Sequence, residues 1–108
     1  MTTRLYTNPI HLEHLTPEGH PERPERLRAL ENALDRVLSP QADESTVLLV
    51  HSEDHLAKVR KAIPEKGMAH IDADTTASPK SMTAALTAVG GALAGVDSVF
   101  RGEADNVF

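Results

Sequence analysis

The stretch His11-Leu-Glu-His-Leu-Thr-Pro-Glu-Gly-His-Pro-Glu-Arg-Pro-Glu-Arg-Leu27 sets three histidines, three prolines and one glycine directly ahead of an amphipathic segment. Proline fixes φ and glycine opens positive φ, so these residues describe a shaped loop rather than a floppy one. Ordered loops with convergent polar groups commonly border a functional site.

Before the loop, Arg4 to Asn8 reads as a short strand, stopped by Pro9, which pushes Asn8 out of the α region. After it, Pro24 suits the first turn of a helix, where a missing N–H costs nothing. Leu27, Leu30, Leu34, Val37 and Leu38 then recur at spacings of three and four, which predicts one helix from Pro24 to near Ser39-Pro40. Thr46-Val-Leu-Leu-Val50 fits either a buried strand or, behind Asp43-Glu44-Ser45, a capped helical turn. Ser52 is the expected N-cap of a helix from Glu53 to about Ile63, and Pro64 to Thr76 reads as loop.

Ser78-Pro79 supplies an N-cap and a first-turn proline for a second long helix. Its apolar stripe is Met82, Leu86, Val89, Leu93, Val96 and Phe100. Gly90-Gly91 lies mid-helix, at a cost of roughly 1 kcal/mol per glycine relative to alanine, which implies close approach of a neighbouring element. Gly102 is the expected left-handed cap, and Asp105 to Phe108 leads into another strand.

With 108 residues the chain has room for one domain or part of one. The net charge of −5 comes without a basic block, which argues against a nucleic-acid partner and is compatible with a cationic substrate. Cysteine is absent, so disulfides, thiolate nucleophiles and Cys-type zinc sites are excluded. No apolar leader opens the chain and its apolar runs are short, so no signal peptide and no membrane partner are expected, and a cytoplasmic location is. Tyr6, Phe100 and Phe108 are the aromatics; a core of Leu, Val and Ala in so short a chain fits a piece of a larger core.

The candidate chemistry is sparse. His51 and His55 are spaced i, i+4, but Ser52 stands where a zinc-protease motif needs Glu, and His51 precedes the N-cap; a solvated or capping pair is expected. His11, His14 and His20 share one loop without a spaced fourth ligand, so their ring nitrogens are expected to hold the loop's shape rather than a metal. Asp72 and Asp74 accept hydrogen bonds from a ligand backbone, cap the next helix, or are simply solvated. No nucleophile elbow, phosphate loop or dinucleotide fingerprint occurs, so the residues alone define no catalytic group and no metal ligand.

Three blocks in order resemble the histone deacetylase, acetoin-utilisation and acetylpolyamine amidohydrolase family. They are His20-Pro-Glu-Arg-Pro-Glu-Arg-Leu27, Val50-His-Ser-Glu-Asp-His-Leu56, and Ile71-Asp-Ala-Asp-Thr75 through Ser78-Pro-Lys-Ser81, followed by Gly102-Glu-Ala-Asp-Asn-Val-Phe108. His55 stands where the family more often has an aromatic. The resemblance implies an α/β fold, the N-terminal part of an arginase/deacetylase-like parallel-sheet domain, predominantly helical within residues 1–108. It also implies amide hydrolysis by a zinc-dependent parent acting on acylated lysine or polyamine substrates. The family's Arg-Pro-Pro-Gly-His-His run and Asp-x-His zinc motif are not in this sequence. Tyr6 does not match the family's catalytic tyrosine. The resemblance thus implies no catalytic residue and no bound zinc here, only substrate-rim residues: His20 and Pro21 in the first loop, and Asp74 and Thr75 in the acidic loop. Arg23, Arg26, Gly90 and Gly91 take structural roles. The expectation is an N-terminal portion of one such domain, inactive alone. The alternative is a non-catalytic helical interaction module that forms a homo-oligomer; a histidine-based metal binder is a third reading.

Overall fold

The computed structural model describes residues 1–30, 32 and 35–108. Strand β1 (Thr3–Thr7) lies at the centre of a three-stranded parallel sheet of order β2-β1-β5, with β2 at Asp35–Leu38 and β5 at Asn106–Val107. Between them come a 3-10 turn (Pro9–Glu13), α1 (Pro24–Arg28), α2 (Glu44–Val47), α3 (Glu53–Ala62), a two-residue hairpin of β3 (Ala69–His70) and β4 (Thr76–Ala77), and the long α4 (Ser81–Phe100).

Alternation along β1 sends Arg4 and Tyr6 to one face of the sheet and Leu5 to the other. α4 covers the Tyr6 face. Its contact stripe is made of small residues, with Ala84, Thr87, Gly91, Gly95 and Ser98 all buried. A Cβ on Gly91 would lie 2.5 Å from Ser39 Oγ, and one on Gly90 would lie 1.9 Å from the Pro40 carbonyl oxygen. The helix backbone therefore rests directly on the chain leaving β2, which is what the paired glycines imply. The larger apolar stripe, expected to pack, divides: Leu86 is buried, whereas Leu93, Val96 and Phe100 are 47%, 53% and 88% exposed. Small residues win the sheet face because only they permit this close approach. α4 is also long and apolar enough to cross a membrane by length and composition, which short apolar runs did not suggest; its small residues face the sheet, and its larger apolar residues face outward.

The end of α4 is held on three sides. Gly102 adopts φ +70, and the N–H groups of Gly102 and Glu103 return to the carbonyls of Val99 and Ser98, the paired bonds of a Schellman cap. Arg4 donates to Ser98 Oγ at 3.1 Å and to Glu103 at 3.2 Å. Asp105 accepts the Thr2 N–H, aligning β5 with β1.

Two expectations are corrected. The helix from Pro24 stops at Arg28, and Val37 and Leu38 belong to a strand. β2 runs in register with β1, pairing Arg4 with Asp35 and Thr7 with Leu38, and the Ser39 N–H continues the ladder to Thr7. Satisfying the backbone of the central strand outweighs a helical stripe; in β2 the consecutive Val37 and Leu38 face opposite sides, leaving Leu38 69% exposed. Leu34, part of that stripe, lies outside the described residues. The loop expected from Pro64 to Thr76 contains β3 and the start of β4, closed by Ile71 N–H donating to the Thr75 carbonyl.

Other elements match. β1 ends before Asn8, whose side chain accepts the Ile10 N–H and donates to the Ser39 carbonyl. Asp43 caps α2, the helical alternative for this segment, and Leu49 and Val50 are each 82% exposed rather than in a buried strand. Ser52 caps α3 through the His55 N–H.

Gly90→Ala is a direct test of the helix seat. Helix propensity alone favours the variant by about 1 kcal/mol, yet collision with the Pro40 carbonyl is expected to produce a net loss of about 1–3 kcal/mol. Thermal denaturation that shows a stabilised variant would contradict the close contact.

Candidate functional site

The first loop is fastened to the N-terminal end of α4. Ser78 is fully buried, and its hydroxyl donates to the Glu13 carbonyl at 3.0 Å while accepting the Leu15 N–H at 2.9 Å. Ser81 Oγ accepts the Ser78 N–H at 2.7 Å and shares a hydrogen with His14 Nδ1 at 2.6 Å. Ser78 was expected to cap the helix. Instead α4 begins at Ser81, after a turn in which the Ser81 N–H donates to the Ser78 carbonyl, and the Ser78 hydroxyl is committed to the loop. The pair Ser78 and Ser81, bracketing Pro79, is the part of the site that spacing did not reveal, because its partners lie more than sixty residues away, with separations of 63 to 67.

The three loop histidines do different work. His14 binds Ser81 and has Nε2 3.9 Å from Glu22. His20 meets the Glu22 backbone through Nδ1 and Asp74 through Nε2. His11 is half-buried, Nε2 has no hydrogen-bond partner among the described residues, and desolvation holds its imidazole below the ordinary range. His11 and His14 border a cleft of about 340 Å³ with Leu27, Ser81 and Ala84.

Of the four rim candidates, the fold brings His20 and Asp74 together across 54 residues of sequence, with Nε2 3.3 Å from the Asp74 carbonyl oxygen and 3.4 Å from its carboxylate. Pro21 is exposed beside His20, and Thr75 is exposed at the hairpin tip, where its carbonyl accepts the Ile71 N–H. Asp72 divides from Asp74 in role. Its carboxylate accepts the Asp74 N–H at 2.9 Å, and this bond, with one to Thr75, holds it below the usual carboxylate range. Asp72 thus shapes the tip, while the Asp74 side chain is 95% exposed. Neither aspartate caps α4.

His51 and His55 stack with ring centroids 4.9 Å apart, both exposed, and the His51 N–H closes α2 on the Val47 carbonyl. Among the described residues no three His, Asp or Glu side chains converge as a metal requires. These residues therefore do not fit a zinc centre.

Residues 20–108 match the family profile described as "Histone deacetylase domain". An uncharacterized protein of Synechocystis sp., slr0245, is 36% identical over 104 residues, covering 83% of this chain and 33% of the relative. The histone deacetylase-like amidohydrolase of Pseudomonas aeruginosa is 34% identical over 100 residues, covering 83% of this chain and 26% of the relative. The chain thus spans a third or less of these relatives. Its fold superposes on the crystal structure of the HDA15 HD domain with a TM-score of 0.82 at 23% identity, over 100% of this chain and 34% of that one.

The lowered pKa of His11 has a consequence for stability. The unfolded chain takes up a proton from the ordinary value of 6.5 downward, and the folded chain resists it until lower pH. Stability contributed by neutral His11 is complete above that value and declines as pH falls through the window below it. The melting temperature is expected to drop as pH falls below the ordinary histidine value of 6.5, and less steeply in His11→Gln. Parallel pH profiles for the two proteins would contradict the burial argument.

Proposed function

The chain belongs to the histone deacetylase domain family, and from that premise we propose that it forms the substrate-entrance part of a zinc-dependent deacetylase or amidohydrolase. The substrates proposed are acylated lysine side chains or acetylated polyamines. Zinc, held in such an enzyme by residues outside this chain, would polarise the acyl carbonyl and activate a water. The residues of this chain bind and orient rather than react.

The observation that carries this reading is the meeting of His20 and Asp74, two loops apart in sequence and adjacent in space. An ionised, exposed carboxylate is an acceptor only, so Asp74 suits the N–H groups of an extended peptide or the ammonium groups of a polyamine. His20 and Pro21 form the wall beside it. The anchored first loop keeps that wall in place, through Ser78 and Ser81, relative to the start of α4.

One observation favours the second reading, a non-catalytic helical module that self-associates: the outward stripe of Leu93, Val96 and Phe100 on α4. Sedimentation velocity separates the two. A defined oligomer that leaves Asp74 without ligand affinity supports the module.

The purified chain, given zinc and an acetyl-lysine peptide, is expected to show no turnover but to bind the peptide weakly. Asp74→Asn is expected to weaken that binding roughly tenfold, as for loss of a charge-assisted hydrogen bond. Chelator-sensitive hydrolysis by these 108 residues would overturn the proposed division of labour. Binding unchanged in the variant would remove Asp74 from the site.

A further inference from the structure

We propose that His20 is a positioning residue that aims the Asp74 carboxylate, with its Nε2–H as the donor. The proposal rests on the reading above that Asp74 meets the substrate.

The tip of the β3–β4 hairpin is fixed at its backbone and free at its functional side chain. Asp72 accepts the Asp74 N–H and Ile71 donates to the Thr75 carbonyl, so the main chain is set. Neither bond restrains the Asp74 carboxylate, which is 95% exposed and has His20 as its side-chain neighbour. An unrestrained carboxylate must be ordered when a ligand arrives, and that ordering weakens binding.

His20 is suited to do the ordering in advance. Its side chain is only 18% exposed. The Glu22 N–H donates to Nδ1 at 3.1 Å, which makes Nδ1 the bare nitrogen of the neutral ring and leaves the hydrogen on Nε2. Nε2 faces two acceptors, the Asp74 carbonyl at 3.3 Å and the carboxylate at 3.4 Å. The opposite tautomer would turn a lone pair toward both oxygens and abandon the Glu22 N–H. The Glu22 carbonyl also lies 3.2 Å from Nδ1, and an imidazolium can serve it. In that state too, Nε2–H stays on Asp74. Both protonation states therefore hold the same contact.

The other end of the lever is fixed as well. The His20 N–H donates to the Pro17 carbonyl, and the preceding loop is held by Ser78, four residues beyond Asp74. The contact closes a ring that sets the carboxylate relative to the start of α4.

The test uses the full 108-residue chain. Nitrogen-15 spectra of the imidazoles should show His20 with its hydrogen on Nε2 at neutral pH, and His20→Ala should move the Asp74 resonances. With an acetyl-lysine peptide as probe, His20→Ala is expected to bind about fivefold more weakly, the usual worth of one hydrogen bond. His20→Gln, which places an amide donor near Nε2, should recover affinity to within about twofold. In an Asp74→Ala background His20→Ala should add no further loss, whereas a merely structural His20 would weaken both backgrounds equally. A hydrogen on Nδ1 of the neutral ring, or an unchanged affinity in His20→Ala when the parent binds, would overturn the proposal. If no form binds the peptide, the function proposed above fails, and the tautomer and the Asp74 shifts alone decide the contact.

Discussion

One buried hydroxyl joins the two halves of this fold. Ser78 Oγ gives its hydrogen to the Glu13 carbonyl and receives the Leu15 N–H, so it satisfies two backbone groups of a loop that has no ladder of its own. A buried loop backbone without partners costs free energy on the scale of each lost hydrogen bond, which makes this point of attachment decisive for the loop's shape. From it follow the position of His14 on Ser81, the path of the chain to His20, and the meeting of His20 with Asp74. The site is therefore an outcome of packing between the loop and the start of α4.

The second constraint is the seat of α4 on the sheet. Two glycines without room for a Cβ bring the helix backbone against Ser39 and Pro40. This fixes the start of α4, and hence Ser78 and Ser81, relative to β1 and β2. The same choice of small residues turns Leu93, Val96 and Phe100 outward. A helix with two apolar faces, one small and one large, suits a layer between two packing partners, in line with relatives of whose length this chain spans a third or less.

Signals that act locally were legible in the sequence. Asn8-Pro9 ends β1, Ser52 caps α3, and Gly102 terminates α4, because each acts within a few residues, whereas the segment behind Asp43 fits a strand or a capped turn equally until its exposure is known. β2 was not legible, since a helical spacing of leucines competes there with pairing to a strand thirty residues away, and tertiary hydrogen bonds decide. The direction of α4 was similarly hidden: hydrophobicity singles out the large stripe, while close approach selects the small one. Of the site, His20 and Asp74 were named from family resemblance, but nothing in their spacing showed that they touch. Ser78 reads locally as a helix cap, because a serine before a proline has that use, and its distant partners Glu13 and Leu15 leave no trace in spacing.

The most direct measurement of this account is native-state hydrogen exchange of the Leu15 and Ser78 amides in the parent chain and in Ser78→Ala. The account predicts slow exchange at both in the parent, and selective loss of protection at Leu15 in the variant while β1 and α4 remain protected. Leu15 exchanging as freely in the parent as an exposed loop amide would contradict the anchoring of the first loop, and with it the geometry of the site.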